Sequence, residues 1–182
     1  MIASKILVQR FSLSMLAITS SLASTAFGGR DVRDFDADWK FALGVIAGAE
    51  SPEFDDASWR KLDVPHDWAF EADYAPDAAQ ADRGGYKPGG IGWYRKTFER
   101  PADWEGQSVR VDFDAVYMNS EVWINGHLLG KRPYGYISFS YDLTKHLRPG
   151  KNVIVVRVDN NLEPSARWYH GCGIYGHVKL VV

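Results

Sequence analysis

The chain has 182 residues, 21 basic against 23 acidic side chains, a formal charge of −2 and one cysteine. A near-neutral balance without a basic stripe argues against nucleic acid or an anionic membrane surface as partner, and one cysteine cannot build a disulfide framework. Stability must therefore come from an apolar core, for which an aromatic content of 14% is well suited.

The first residues carry the three-part pattern of an export signal. Lys5 and Arg10 form a basic head, residues 11–22 are apolar or small with no acid, and Ser24-Thr25-Ala26 supplies small residues for cleavage. The apolar core is too short to span a bilayer. Cleavage is expected after Ala26, with Ala23 as the next position. That leaves residues 27–182 as one domain, long enough to bury a core without covalent staples.

In chain order, residues 30–38 are polar, and Trp39-Lys40-Phe41-Ala42-Leu43 alternates as a strand does. Residues 44–56 read as loop. Residues 59–64 lead into Pro65-His66-Asp67-Trp68, where proline ends regular pairing. Residues 71–90, rich in Ala, Asp, Gly and Pro, read as a long surface loop. Trp93-Tyr94-Arg95-Lys96-Thr97-Phe98 is a strand, and Val109, Val111 and Phe113 alternate with Arg110 and Asp112 as a half-buried one. Glu121-Val122-Trp123-Ile124 runs into Asn125-Gly126, a strong hairpin signal, and His127-Leu128-Leu129 returns. Residues 136–141 alternate again, residues 143–147 predict one helical turn, and Pro149-Gly150 stops it. Residues 153–158, apolar with one arginine, predict a strand buried on both faces. Residues 176–182 form the last strand. Many short strands divided by turn signals predict an all-β fold, a β-sandwich or jelly roll.

Several motifs go beyond a generic sandwich. Val64-Pro65-His66-Asp67-Trp68 is followed by Gly90-Ile91-Gly92-Trp93-Tyr94-Arg95-Lys96-Thr97-Phe98, then Val122-Trp123-Ile124-Asn125-Gly126-His127, then Tyr134-Gly135-Tyr136. Asp142-Leu143-Thr144, Val156-Arg157-Val158-Asp159-Asn160 and Arg167-Trp168-Tyr169-His170-Gly171-Cys172-Gly173-Ile174-Tyr175 complete the series. In this order, over about residues 35–182, they resemble the N-terminal sugar-binding domain of family 2 glycoside hydrolases, of β-galactosidase type.

The resemblance implies a galactose-binding-domain-like jelly-roll sandwich. It also implies a retaining β-glycosidase in which an immunoglobulin-like domain and a (β/α)₈ barrel follow this one. Retaining chemistry needs two carboxyl groups about 5–5.5 Å apart. In the family both belong to the barrel, so the chain alone is expected to lack hydrolase activity and to contribute substrate binding. The expected partners are a β-galactoside or related glycan and the missing immunoglobulin-like and barrel domains. No cofactor and no metal are expected. A free-standing carbohydrate-binding module is the other reading.

The candidate substrate-binding residues are Arg167, Asp159, Asn160, Trp168 and Asn119. The resemblance puts Arg167 where several relatives hold sugar with an aspartate; a guanidinium donates where a carboxylate accepts. Asp159 and Asn160 open the same segment with an acceptor and an amide suited to hydroxyls, or alternatively start a turn. Asn119 lies two residues beyond the position of a sugar-binding asparagine in some galactosidases. Trp168, with Tyr169, could stack on a pyranose face or pack internally. Trp39, Trp59, Trp93 and Trp123 are assigned to the core, and His66, His170 and Cys172 to structural roles.

Overall fold

The computed structural model describes residues 29–78, 81–161 and 170–182. The expected signal segment, together with Arg167 and Trp168, lies outside them. Among the described residues, ten strands make two antiparallel sheets: β1 (Val32–Asp34), β2 (Trp39–Leu43), β3 (Arg60–Leu62), β4 (Gly90–Arg100), β5 (Arg110–Phe113), β6 (Ser120–Ile124), β7 (His127–Arg132), β8 (Phe139–Asp142), β9 (Gly150–Asn160) and β10 (Val178–Val181). One sheet runs β1-β10-β5-β8 and the other β3-β2-β4-β9-β6-β7. This is the expected jelly-roll β-sandwich.

Strand periodicity places the core. In β9, Ile154, Val156 and Val158 face the opposing sheet, among a cluster that includes Trp39, Tyr94, Val111, Phe113, Val122 and Ile124. The alternate residues Val153 and Val155 join Ala49, Ile91 and Trp93 in a second cluster on the outer face. That face is covered because residues 44–56 fold back over it. Arg95, 1% exposed, holds the cover through Nε to Asp56 Oδ2 at 3.0 Å and Nη1 to the carbonyls of Ser51 (2.9 Å) and Ala49. The strand expected to be buried on both faces is buried on both.

Several local features follow from residue chemistry. Asn125 and Gly126 both take positive φ (51° and 81°), as a tight hairpin turn demands. Residues 144–146 form the expected helical turn as a 3-10 segment. The run 68–71, which carries no helical period, forms a short helix α1 (Trp68–Glu71). Asp67 caps it, Oδ1 accepting from Ala69 N at 3.0 Å and Phe70 N at 3.3 Å. The same oxygen accepts from Cys172 N at 3.0 Å, tying the two glycosidase-like motifs together. The alternation over residues 136–141 becomes a strand only from Phe139. Trp39 is fully buried, Trp93 is buried, and Trp59 and Trp123 pack against the outer cluster.

Candidate functional site

Three chain segments meet at the end of the sandwich where β9 finishes. Asp159 N donates to Met118 O at 3.0 Å, and Asn119 Nδ2 donates back to Asp159 O at 3.1 Å. Asn119 itself sits at φ 46°, a left-handed conformation that asparagine tolerates better than most residues. Its N–H donates to Pro133 O at 3.3 Å, drawing in the loop that follows β7. Asn161 and His170, which flank residues 162–169, belong to this end as well: Asn161 N donates to Asp159 Oδ1 at 3.1 Å, and the His170 ring stacks on Tyr117 at 4.3 Å.

The Asp159 side chain lies on the outer face of the six-stranded sheet, one quarter exposed. Arg157, two residues earlier on the same face, donates Nη2 to Asp159 Oδ2 at 2.7 Å and Nη1 to Glu121 Oε2 at 3.2 Å. Lys131 Nζ stands 3.5 Å from Glu121 Oε1, and the guanidinium carbon lies 5.9 Å from the centre of the Trp93 ring. Glu121 and Asp159 thus both pair with one cation, Arg157. The arrangement offers donors and acceptors suited to hydroxyls.

Asn160 occupies a different place from the one its sequence neighbour suggests. β9 continues through it, pairing Asn160 with Gly90, so its side chain points opposite to Asp159. It is 1% exposed, and its Nδ2 lies 2.9 Å from Cys172 Sγ and 3.4 Å from His170 Nδ1. Burial pushes the His170 imidazole below its ordinary pKa, which keeps the ring neutral. Asn160 therefore braces the closing motif from beneath in this chain. Among the described residues, the structure brings Asp159 and Asn119 together and turns Asn160 inward.

Sequence reasoning passed over Tyr134 and Tyr136 as site residues. They stand on the loop that Asn119 holds, 57% and 56% exposed, with ring centres 5.6 Å apart. The apparent alternation of residues 136–141 took Tyr136 into a strand, and Tyr134 stood only in a motif. A separate open recess of about 280 Å3 is lined by Pro65, His66, Asp67, Phe70, Glu71 and Tyr175. Arg60 Nη2 reaches two of these residues, Glu71 Oε2 and His66 Nε2, at 2.7 Å each. No group of metal-ligating side chains occurs among the described residues, and none of their helices is long and apolar enough to cross a membrane.

Comparison with known proteins bears on the whole described sandwich. Residues 32–181 match the family described as "Glycosyl hydrolases family 2, sugar binding domain". The β-galactosidase BoGH2A of Bacteroides ovatus is 54% identical over 159 residues, covering 87% of this chain and 19% of that protein. A Formosa agariphila protein provisionally named a β-glucuronidase is 52% identical over 167 residues, covering 92% of this chain and 16% of its own length. Among solved structures, a β-glycosidase from Bacteroides vulgatus superposes with a TM-score of 0.81 at 49% identity, covering 83% of this chain and 20% of that one. The chain thus spans about one fifth or less of the length of these relatives. With the fold, the ordered motifs and the family match in agreement, the chain belongs to family 2 of the glycosyl hydrolases, as that family's sugar-binding domain.

Proposed function

We propose that this chain serves as the exported, substrate-binding N-terminal domain of a retaining β-glycosidase of β-galactosidase type. In this reading Asp159, Asn119, Arg167 and Trp168 form one rim of the sugar site, with Asn160 supporting it, and the catalytic carboxyls come from a barrel domain. The single observation that carries it is the convergence of Asn119, Asp159 and both flanks of residues 162–169 on one end of the sandwich. Export rests on the basic, apolar and small-residue pattern of residues 1–26.

The test has two parts. The purified chain should not turn over a chromogenic β-galactoside. When it is joined to the immunoglobulin-like and barrel domains of a close relative, Asp159→Ala and Arg167→Ala should each lower kcat/KM with the melting temperature unchanged. Wild-type kinetics in both variants would remove these residues from the site.

A second substrate reading rests on Arg167. A guanidinium pairs with a carboxylate in a fork, and relatives named for β-glucuronidase activity stand beside those named for β-galactosidase. If a β-glucuronide is the substrate, Arg167→Ala should reduce its turnover much more than that of the matching galactoside. One rim of contacts should hold a sugar only at millimolar affinity or weaker; tight glycan binding by the chain alone, with no barrel partner needed for function, would instead favour a free-standing binding module.

A further inference from the structure

We infer that Tyr134 and Tyr136 form a stacking platform for a second pyranose of a β-linked glycan, beside the sugar held at the Asp159 end; the inference rests on the sugar-binding reading of that end. Single exposed aromatic residues are ordinary on protein surfaces. This pair differs in how firmly the chain holds it. The Tyr136 ring packs at 5.2 Å against Tyr117, which is 2% exposed, and the Tyr134 ring packs at 5.6 Å against Tyr136. Between them, Gly135 lies so close to Tyr117 that any Cβ would collide with its ring. Tyr175 Oη donates to Gly135 O at 2.6 Å, and Asn119 N holds Pro133 O. The buried Tyr117 ring and these two hydrogen bonds fix the loop, yet Tyr134 and Tyr136 each stay more than half exposed.

The surroundings point to a carbohydrate occupant. A pyranose presents an apolar C–H face and a rim of hydroxyls, so it asks for aromatic rings bordered by donors and acceptors. Asn119 joins the tyrosine loop to the end of β9 directly, its N–H on Pro133 and its amide on Asp159. The Glu121, Arg157 and Asp159 network lies on that same strand end. Tyrosine also offers ring area with few torsions to immobilise, and half-exposed Ile137 extends the apolar rim.

The experiment is a two-dimensional NMR titration of the chain with methyl β-galactoside and with lactose, which adds one sugar. Lactose should shift the resonances of Tyr134 and Tyr136 and bind about fivefold more tightly than the methyl galactoside, the gain expected of one stacked ring. Tyr134→Ala should abolish that difference and leave the methyl galactoside affinity unchanged. Tyr134→Trp, with a larger face, should keep or increase it. Thermal melting of both variants should match wild type, since Tyr134 is exposed. Absence of any lactose-induced shift at the two tyrosines overturns the inference, as does an unchanged preference in Tyr134→Ala. Shifts confined to Asn119 and Asp159 overturn it while leaving the underlying reading intact; shifts at the tyrosines alone would remove that reading and show an independent glycan surface.

Discussion

Asn119 and Asp159, forty residues apart, clasp each other through the main chain: the Asn119 amide donates to Asp159 O, and Asp159 N donates to the carbonyl just before Asn119. The clasp joins the entry to β6 with the exit from β9, and through Pro133 it also sets the tyrosine loop. Asn119 is thus a positioning residue whatever it does for sugar.

That dual demand separates two substitutions. Asn119→Ala loses the amide bond and places an alanine at φ 46°, where it is strained. Asn119→Gly loses the amide but relieves the conformation. The expected cost is about 1–2 kcal/mol for alanine, with glycine the milder by roughly 1 kcal/mol. Denaturant unfolding of both variants checks this. Equal losses would mean that the backbone conformation contributes nothing.

Gly173 should tolerate no side chain. At φ 122° its Cβ would run into Tyr94 Oη and stand 2.7 Å from the carbonyl oxygen of His66. The strand end it bridges, pairing with Tyr117, would have to move. Gly173→Ala is expected to destabilise by about 3 kcal/mol or more, read as a large drop in melting temperature. A near-native melting curve would show that the closing motif yields readily.

Most of the fold was legible because the strands keep period two and the turns carry turn-forming residues: Trp39-Lys40-Phe41 alternates, and Asn125-Gly126 turns where it should. Three features were not. β1 is three exposed residues paired along β10, so no burial pattern marks it. Helix α1 is a single turn made by the Asp67 cap rather than by periodicity. The third is the face of Asn160. Asp159-Asn160 reads as a turn dipeptide, yet β4 supplies partners out to Gly90, and the extended ladder sends the two side chains apart. Spacing along the chain revealed which segments meet at the site; long-range pairing decides which side chains reach its surface.

Arg95 and Asp56 should be essential to the outer cover. The Arg95 guanidinium is buried, and its partners all lie on residues 44–56. Burial pushes the Asp56 carboxyl upward, but the hydrogen bonds and charges of Lys40 and Arg95 outweigh it and hold it below its usual value. A depressed carboxyl stabilises the fold above its unfolded pKa and loses that contribution as pH falls through the folded value. Asp56→Asn leaves a buried guanidinium short of its counter-charge, at a cost of about 3–5 kcal/mol. Limited proteolysis should then cut within residues 44–56 before the rest of the domain. Protection equal to wild type would show that Trp59 and Phe54 hold the cover unaided.

Stability should fall as the medium is acidified through the histidine range, and His66 is the main reason. Burial lowers its pKa first; the Glu71 carboxylate works against that and the Arg60 guanidinium with it. Burial sets the sign, and the Arg60 charge adds to it. Arg60 Nη2 points at His66 Nε2 from 2.7 Å, Glu71 Oε2 stands 3.3 Å from the same nitrogen, and Nδ1 meets Tyr94 Oη at 2.7 Å. A second proton would set the buried imidazolium against the Arg60 guanidinium, with Glu71 drawing the other way. His170, also pushed down by burial, adds in the same direction. With folded values below the unfolded one, the unfolded chain takes up protons first, so this stability is complete above about pH 6.5 and is lost as pH falls through the folded values. His177 has the opposite sign: its hydrogen bond and ion pair with Asp36 raise it, so its contribution is present at low pH and fades as pH rises. It is exposed, and the buried pair should dominate. Melting temperature is therefore expected to drop between about pH 7.5 and pH 5. Arg60→Ala removes the opposing donor and leaves Glu71 beside the ring, so its melting temperature should depend less on pH over the same interval. A flat profile in the wild-type chain, or a steeper one in Arg60→Ala, would show that the Arg60 contact does not govern His66.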